Sequence, residues 1–305
     1  MARKKPKHPI NSPRYWPTWA ALGLLWLCSR LLPYSIALKL GRLIGRTVYR
    51  VSPRRRHIAQ VNLSICFPKL TDDERAQLLR NHFDALGIGM LMIGFAWWAP
   101  DEKLRERVSI EGLEHLQNSL EKGNGVILLS AHVTDLEIAG RLLSLYQPFA
   151  VMYRPHENPV IEWAFSRSRQ LRFEAAIPRN DIRQVVRTLK QNLPVWYAPD
   201  QSFKGRNSTL APFFGEPAGT NTATSRLAKI SGADTLLFCG YRLPGDEGYK
   251  LVIHPPLEDF PSEDIQQDTT RINGLIEQAV GYAPEQYLWI HRRFKKRKVI
   301  PDPYY

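Results

Sequence analysis

The chain has 305 residues, of which 44% are hydrophobic and 23% charged, a composition that can form a large core and excludes a polytopic membrane protein or a disordered chain. Its three cysteines are too few and too scattered for a disulfide framework or a cysteine-based zinc site, and this usage fits a reducing compartment. The formal net charge of +13 predicts an anionic partner: nucleic acid, acidic lipid, a phosphorylated substrate or an acidic protein.

The N-terminal segment combines basic residues with an uncharged apolar run of 14 residues, Trp16 to Ser29. A membrane-spanning helix needs roughly 20 apolar residues, and basic residues flank this run on both sides. We therefore expect residues 1–45 to form a membrane anchor that lies in the cytoplasmic leaflet, with its basic flanks on anionic headgroups. A short true span, a signal peptide and a buried core helix are the alternatives. The flanking basic residues are Arg3, Lys4, Lys5, Lys7 and Arg14 before the run, and Arg30, Lys39, Arg42, Arg46, Arg50, Arg54, Arg55 and Arg56 after it.

Residues 46–305 are predicted to form one domain, helical to about residue 107 and α/β beyond it. Between residues 58 and 96 apolar positions recur at spacings of three and four, which predicts helices, with Thr71 as an N-cap. From about residue 108 short apolar runs alternate with helical stretches, which predicts an α/β sheet with helices on its faces. The predicted strands are residues 125–130, 148–154, 195–200, 235–242 and 249–256, and the predicted helices lie near 134–146, 158–173, 180–191, 221–231 and 267–282.

The most distinctive pattern at a predicted strand end is His132 followed five residues later by Glu137. Ligand sites in α/β sheets gather at the carboxyl ends of strands, and an imidazole there is suited to act as a general base towards a hydroxyl. If Thr134 is the N-cap of a helix in which Glu137 is the third residue, His132 in the preceding turn can fold towards Glu137, which would orient it. The alternative is a capping box from Thr134 to Glu137, in which the glutamate only satisfies a backbone N–H.

Three further polar features have both a functional and a structural interpretation. Asp200 ends a predicted strand and precedes a polar, glycine-containing loop, so it is either a site residue or a solvent-exposed loop aspartate. Arg169 and Arg172 share a face of one predicted helix, which favours either a clamp for phosphate or carboxylate groups or a solvated basic surface. The basic segment 291–298 could contact nucleic acid, acidic lipid or an acidic protein.

The pattern from His132 to Glu137 after a hydrophobic strand resembles the HxxxxD/E motif of bacterial lipid A late acyltransferases. Further segments that resemble this family occur in the family's order: RYWPTW (14–19), VNLSICFP (61–68), YRPHENP (153–159), VWYAPDQ (195–201), PFFGEPA (212–218) and PEQYLWIHRRFK (284–295). The resemblance thus covers nearly the whole chain. It implies a glycerolipid-acyltransferase-like α/β fold with a mixed sheet, in which residues 46–305 are the acyltransferase domain.

The resemblance also implies a reaction. An acyl group, lauroyl by the overall similarity, would pass from acyl carrier protein to a hydroxyl of a 3-hydroxyacyl chain of Kdo2-lipid IVA, in lipid A and lipopolysaccharide biosynthesis. His132 would deprotonate that hydroxyl with help from Glu137, while Arg169 and Asp200 match positions that the family treats as functionally important. No metal or dissociable cofactor is required. The implied partners are the acidic acyl carrier protein and the anionic lipid, at the cell inner membrane with the active site facing the cytoplasm.

Other functions remain alternatives. On the same fold they are acyl transfer to another glycolipid or to a glycerophospholipid, or a later, myristoyl-transferring step of lipid A synthesis. Glu137 disfavours a glycerol-phosphate acceptor, because glycerolipid acyltransferases usually have aspartate there. A non-catalytic lipid-binding protein is an alternative from another class. A nucleic-acid-binding function rests on charge alone, and since no segment resembles a standard nucleic-acid-binding module we expect no such partner.

Overall fold

The computed structural model describes residues 9–295 and residue 305. Arg3, Lys4, Lys5 and Lys7 of the predicted basic N-terminal flank lie outside the described residues. Residues 296–298, the end of the basic C-terminal segment, also lie outside them.

Five helices precede the first strand. They are α1 (Trp16–Leu31), α2 (Tyr34–Val51), α3 (Pro53–Cys66), α4 (Asp72–Trp98) and α5 (Asp101–Arg105), after a short 3-10 helix at Pro13–Tyr15. α4 begins at its predicted cap, because the Thr71 hydroxyl accepts from the Glu74 backbone N–H while the Glu74 carboxylate accepts from the Thr71 N–H. The domain boundary predicted between residues 45 and 46 falls inside α2, which continues without interruption.

The remaining chain forms a seven-stranded mixed sheet, which confirms the predicted α/β class. The strands are β1 (Val108–Glu111), β2 (Val126–Leu129), β3 (Ala150–Tyr153), β4 (Ala175–Pro178), β5 (Val195–Tyr197), β6 (Ser208–Phe213), β7 (Glu216–Asn221), β8 (Asp234–Arg242) and β9 (Tyr249–Pro256). The order across the sheet is β1-β9-β8-β2-β5-β3-β4, and β6 pairs with β7 separately. β9 and β1 run antiparallel to the other five strands. β2 therefore lies at the centre, with parallel neighbours paired along both of its edges, and all four of its residues are buried.

Helices cover both faces of this sheet. They are α6 (Leu113–Glu121), α7 (Leu136–Leu143), α8 (Pro159–Arg172), α9 (Ile182–Lys190), α10 (Ala223–Ser231) and α11 (Ile265–Tyr282). Val126 and Leu128 of β2 enter one buried cluster with α2, α4 and α7, whereas Ile127 and Leu129 enter another with α9, α10 and α11. The alternation of side chains along a strand thus divides the core into two layers.

The structure contains elements that the apolar pattern does not predict. The strands β1 and β4 lie at the two sheet edges and are only partly buried, so their sequences carry a weak apolar signal. The stretch after Asp200, expected to be a loop, contains the β6–β7 hairpin. Its two-residue turn places Phe214 at φ 51° and Gly215 at φ 79°, as a type I′ turn requires. The prolines and glycine in these strands are typical of loops, which explains the wrong prediction.

α2 and α4 cross at a contact made by glycines. A Cβ on Gly45 would lie 1.9 Å from the Phe83 carbonyl oxygen, and one on Gly87 would lie 2.2 Å from the Gly41 carbonyl oxygen. The two backbones therefore touch, with no room for a side chain between them. Leu38 of α2, at 2% exposure, is part of the core.

α1 is a half-exposed apolar helix. Leu22 and Leu25 pack against the core, whereas other large apolar side chains face solvent. The exposed ones in the first two helices are Trp16, Leu24, Trp26, Leu27 and Leu31 in α1, and Ile36, Leu43 and Val51 in α2. Over residues 9–295, no helix combines the length and the apolar character that crossing a bilayer requires.

Candidate active site

His132 lies in the turn between β2 and α7, at the carboxyl end of the central strand, as the sequence predicts. Its backbone N–H donates to Oδ2 of Asp200 over 2.9 Å, and its ring Nδ1 lies 2.5 Å from Oδ1 of the same carboxylate. Asp200 follows β5, the neighbour of β2. The His132 side chain is 27% exposed and the Asp200 side chain 1% exposed. The imidazole is therefore accessible from outside, while the carboxylate that holds it is buried, unlike the exposed loop aspartate considered above.

The two residues stabilise each other's charged forms. Burial by itself raises the pKa of Asp200, but the positive charge of His132 and two hydrogen bonds from it prevail and lower that pKa to about 2. Burial likewise lowers the pKa of His132, yet the Asp200 carboxylate outweighs burial and raises this pKa above its ordinary value. Because Asp200 stays ionised, it accepts the Nδ1–H and leaves Nε2 as the nitrogen that can take a proton. An imidazole oriented by a buried carboxylate is the arrangement of a general base.

Glu137 is paired with Arg169 of α8. The Arg169 Nη2 lies 2.5 Å from the Glu137 Oε1, and the two side chains are 15% and 16% exposed. The Arg169 guanidinium also lies over the rings of Tyr153 and Phe165, 5.2 and 4.8 Å from their centroids. The ion pair with Glu137 and the two ring contacts together hold this guanidinium in place, so Arg169 is not part of a solvated basic surface. Arg172, three residues further along the same helix, donates to the Trp97 carbonyl oxygen over 3.3 Å.

The N-cap predicted at Thr134 is wrong by one residue. α7 has Asp135 as its N-cap residue, with no side-chain capping hydrogen bond. The capping box between Thr134 and Glu137 is therefore absent, and Glu137 is the second residue of the helix. The predicted contact from His132 to Glu137 is replaced by two separate pairs, in which Asp200 orients the histidine and Arg169 binds the glutamate.

Asp135 fixes the turn that carries His132. Its carboxylate is buried, accepts from the Tyr249 hydroxyl over 3.1 Å and from the Thr134 hydroxyl over 3.0 Å, and lies 3.5 Å from Nε of Arg242. A buried carboxylate with three such partners is costly to disturb, so this network restrains the backbone next to the histidine. No local sequence pattern predicts this network, because Tyr249 and Arg242 belong to strands far along the chain.

The C-terminal segment 284–294 holds the same turn from another side. The His132 carbonyl oxygen accepts from the Leu288 N–H over 3.0 Å, and the Thr134 N–H donates to the Gln286 carbonyl oxygen over 2.8 Å. Asn62 of α3 in turn donates to the carbonyl oxygen of Trp289 over 2.6 Å. The segment that resembles PEQYLWIHRRFK is therefore part of the site's scaffold.

Two residues of that segment were missed as site residues. Arg293, expected on a basic surface, is 2% exposed, donates to Gly219 and Thr220, and contributes to the lowered pKa of Asp200. The expectation of an exposed basic surface is thus wrong for Arg293. The ring centroids of His291 and His132 lie 6.2 Å apart. Burial, followed by the charge of His132, lowers the pKa of His291 to about 4.

Potential metal ligands do not cluster in the described part of the chain: no group of three or more His, Cys, Asp or Glu is placed to hold an ion. His132 and Asp200 are paired with each other. The expectation that the reaction requires no metal or dissociable cofactor stays a prediction.

Nearly the whole chain is similar to known bacterial proteins. The profile described as bacterial lipid A biosynthesis acyltransferase matches residues 3–296. The lipid A biosynthesis palmitoleoyltransferase of Escherichia coli (strain K12) is 40% identical over 288 residues, which cover 94% of each chain. The lipid A biosynthesis lauroyltransferase of the same organism is 35% identical over 294 residues, or 96% of each chain. Its lipid A biosynthesis myristoyltransferase is 32% identical over 298 residues, or 95% of this chain and 90% of the other.

Proposed function

The chain belongs to the bacterial lipid A biosynthesis acyltransferase family and is an acyltransferase, and from this premise we propose its donor, its acceptor and the roles of its residues. It transfers a fatty acyl group from the thioester of acyl carrier protein to a hydroxyl of a 3-hydroxyacyl chain of Kdo2-lipid IVA. The observation that carries the proposal is the pair of His132 and Asp200 at the ends of adjacent strands, with the histidine accessible and the aspartate buried. Lauroyl is the chain predicted from the sequence, and the palmitoleoyl- and myristoyltransferases among the relatives make those chains the alternatives to test.

His132 is the general base of this proposed reaction. Its Nε2 removes the proton from the acceptor hydroxyl, and the resulting alkoxide attacks the thioester carbonyl carbon. The tetrahedral intermediate collapses with formation of the ester and cleavage of the carbon–sulfur bond. The leaving thiolate then takes the proton back from the imidazolium, so that the histidine ends as it began. Asp200 stabilises the imidazolium between these steps and keeps Nδ1 protonated.

Arg169 stabilises negative charge in this mechanism. The intermediate's oxyanion requires a fixed donor or cation, and a guanidinium restrained by Glu137 and two aromatic rings meets that requirement without reorganisation. Glu137, in the first turn of the helix that follows His132, is then a positioning residue that holds Arg169. This assignment differs from the role that the motif predicts for Glu137, which was to assist the histidine directly.

The proposed location is the cytoplasmic face of the cell inner membrane. Support comes from the exposed apolar side of α1, closed at its end by the basic Arg30. The exposed Arg50, Arg54 and Arg55 near the α2–α3 junction offer a surface with the charge needed to attract an acidic carrier protein.

Mass spectrometry of the products tests the proposal. The full-length enzyme receives Kdo2-lipid IVA and a mixture of acyl carrier proteins charged with lauroyl, palmitoleoyl and myristoyl chains. We expect a mass increase of one acyl group, which identifies the chain, and its loss in His132→Ala. His57→Ala, at an exposed histidine of α3, is the matched control and should retain activity.

Three outcomes would change the assignment. A His132→Ala enzyme with the wild-type rate contradicts the proposed chemistry. A faster reaction with lysophosphatidic acid than with Kdo2-lipid IVA moves the enzyme to a glycerolipid acceptor. If EDTA abolishes activity and Mg²⁺ or Zn²⁺ restores it, the expectation that no metal is required is wrong.

A further inference from the structure

A cavity of about 320 Å³ lies against a face of α7 different from the one that carries Glu137. The α1–α2 junction, the C-terminal part of α4, α5 and the ring of Tyr249 enclose it. It shares no lining residue with the small space beside His132 and Asp200. Its volume is at the lower end of the range for small-molecule sites, which leaves room for one hydrocarbon chain but not for a glycolipid with several.

One wall of this cavity is apolar and its rim is basic. The apolar lining consists of buried or half-buried side chains from four segments: Leu32, Met92, Phe95, Leu104, Ile138 and Leu142. The rim carries Arg30, Lys103 and Arg107, and Glu106 is the only carboxylate that the described residues contribute to the lining. Within residues 9–295, the structure gives neither Arg30 nor Lys103 an acidic partner. The lining is therefore complementary to an amphiphile with an apolar tail and a negative head.

Tyr34 adds a buried polar group to this lining. Tyr34 is 8% exposed, and its hydroxyl lies beside that of Tyr249. Both residues line the cavity, so this hydroxyl can donate to a ligand that supplies an acceptor. The Arg107 guanidinium lies over the Tyr34 ring, 4.4 Å from its centroid, which brings a cation to the same wall.

We propose that this cavity binds one acyl chain of an anionic phospholipid, with the phosphate at Arg30, Lys103 and Arg107 and the chain along the apolar wall. The α1–α2 junction at its mouth also carries the exposed Leu31 and Ile36, so a chain can enter from the bilayer. The inference therefore rests on the proposed membrane location, but not on the proposed chemistry. The site is separate from the reacting groups, because the cavity shares no lining residue with the space beside His132 and Asp200.

Photo-crosslinking in lipid nanodiscs tests this inference with the full chain. The nanodiscs contain phosphatidylcholine with a small fraction of phosphatidylglycerol that carries a diazirine at its chain end, and peptide mass spectrometry locates the adducts. We expect adducts at Met92, Phe95 or Ile138, at least five-fold more than from phosphatidylcholine with the same diazirine chain. Inorganic phosphate added in excess should not displace the lipid.

Variants separate the head-group site from the chain site. The double change Arg30→Gln and Lys103→Gln should remove the preference for phosphatidylglycerol, whereas Lys69→Gln and Lys190→Gln, at exposed lysines elsewhere, should retain it. Ala99→Phe, which places a ring in the cavity, should reduce the adducts at least ten-fold. Tyr34→Phe removes only the hydroxyl and keeps the ring, so it should preserve the fold while weakening labelling by phosphatidylglycerol.

The outcomes distinguish this inference from the proposed reaction. Absence of adducts in the cavity, equal labelling by both lipids, or displacement by Kdo2-lipid IVA would each overturn the inference. His132→Ala should abolish acyl transfer and leave the adducts unchanged. Adducts in an enzyme that transfers no acyl group to Kdo2-lipid IVA would uphold the lipid site while the proposed reaction fails.

Discussion

The Nδ1 of His132 lies 2.5 Å from Oδ1 of Asp200, although the two residues are 68 positions apart in the chain. The contact arises because β2 and β5 are parallel neighbours, with Leu129 beside Tyr197 in register. The residues that follow two parallel neighbours reach the same edge of the sheet. The group that orients the histidine therefore comes from the adjacent strand and not from the glutamate of its own motif.

Asp200→Asn is expected to lower kcat by about 10²–10⁴-fold, because asparagine cannot stabilise the imidazolium that forms during proton transfer. It should also lower the pKa of His132, since the Asp200 carboxylate is what raises that pKa. The deprotonated imidazole is the active form, so the acidic limb of the pH–kcat profile should move to lower pH. Steady-state kinetics across pH measures both effects, with Asp246→Asn as the exposed control. An unmoved acidic limb would contradict the pairing.

Arg169→Gln is expected to lower kcat by about 10²-fold, as the loss of one oxyanion-stabilising group does elsewhere. If Glu137 only positions Arg169, Glu137→Gln should lower kcat by a smaller factor than Arg169→Gln does. The double variant should then be no slower than Arg169→Gln alone. Kinetics of the three variants form a double-mutant cycle that measures this coupling. Additive losses, together with an acidic limb displaced by Glu137→Gln, would return Glu137 to the role of assisting His132.

Gly89→Ala is expected to impair both stability and activity. A Cβ there would lie 2.1 Å from the Thr134 carbonyl oxygen, so the new methyl group must displace the turn that carries His132. We expect a loss of about 1–3 kcal/mol in the free energy of unfolding and a lower kcat. Gly274→Ala is the matched control in α11, where a Cβ meets nothing within 4 Å and should stabilise the helix by about 0.5–1 kcal/mol. Urea unfolding measures the stability of both variants, and steady-state kinetics measures their kcat. A fully active Gly89→Ala enzyme would show that α4 does not constrain the turn.

His82 should make the protein less stable in acid. Burial lowers the pKa of this α4 histidine from 6.5 to about 4, although its Nδ1–H donates to the Glu285 carbonyl oxygen. Between these values the unfolded chain binds a proton that the folded chain does not, so stability falls as the pH falls. The loss from pH 7 to pH 5 is about 2 kcal/mol for this one group. His82→Gln keeps a donor for Glu285 without titrating, and should lose about 2 kcal/mol less over the same range in urea unfolding; identical losses would refute the assignment.

Leu24→Ser, Leu27→Ser and Leu31→Ser combined are expected to release the protein from membranes, because these exposed side chains form the apolar side of α1. Flotation with vesicles that contain phosphatidylglycerol measures the bound fraction. The control combines Ile182→Ser, Ile230→Ser and Ile265→Ser, which removes the same number of exposed apolar side chains from other helices. Equal flotation of the two triple variants would argue against α1 as the attachment.

Features determined by local sequence were predictable, and those determined by long-range pairing were not. The cap at Thr71 depends on residues within one helical turn, and the position of His132 depends on the strand directly before it. The partner of His132 depends on strand order, which no local pattern encodes. Arg293 was expected at the surface because arginine is rarely buried, but its partners Gly219 and Thr220 lie 74 and 73 positions away.

The edge of the sheet and the hairpin were missed for a different reason. β1 and β4 each have one strand neighbour and partial solvent contact, so they lack the continuous apolar run of β2. In the hairpin, Pro212 of β6 lies opposite Pro217 of β7. Proline has a low β-strand propensity, so the sequence of this segment favours a loop. Tertiary pairing overrides that preference here.

The packing of α2 in the same buried cluster as α4 has a practical consequence for anyone who wishes to shorten this protein. Removal of the first forty residues, the usual remedy for a protein that adheres to lipid, would cut away the part of α2 that contains Ala37 and Leu38, which are 0% and 2% exposed. Truncation would then yield aggregates, and their inactivity would say nothing about lipid attachment. Substitutions of exposed apolar residues of α1 are therefore the better way to reduce adhesion to lipid while keeping the core intact.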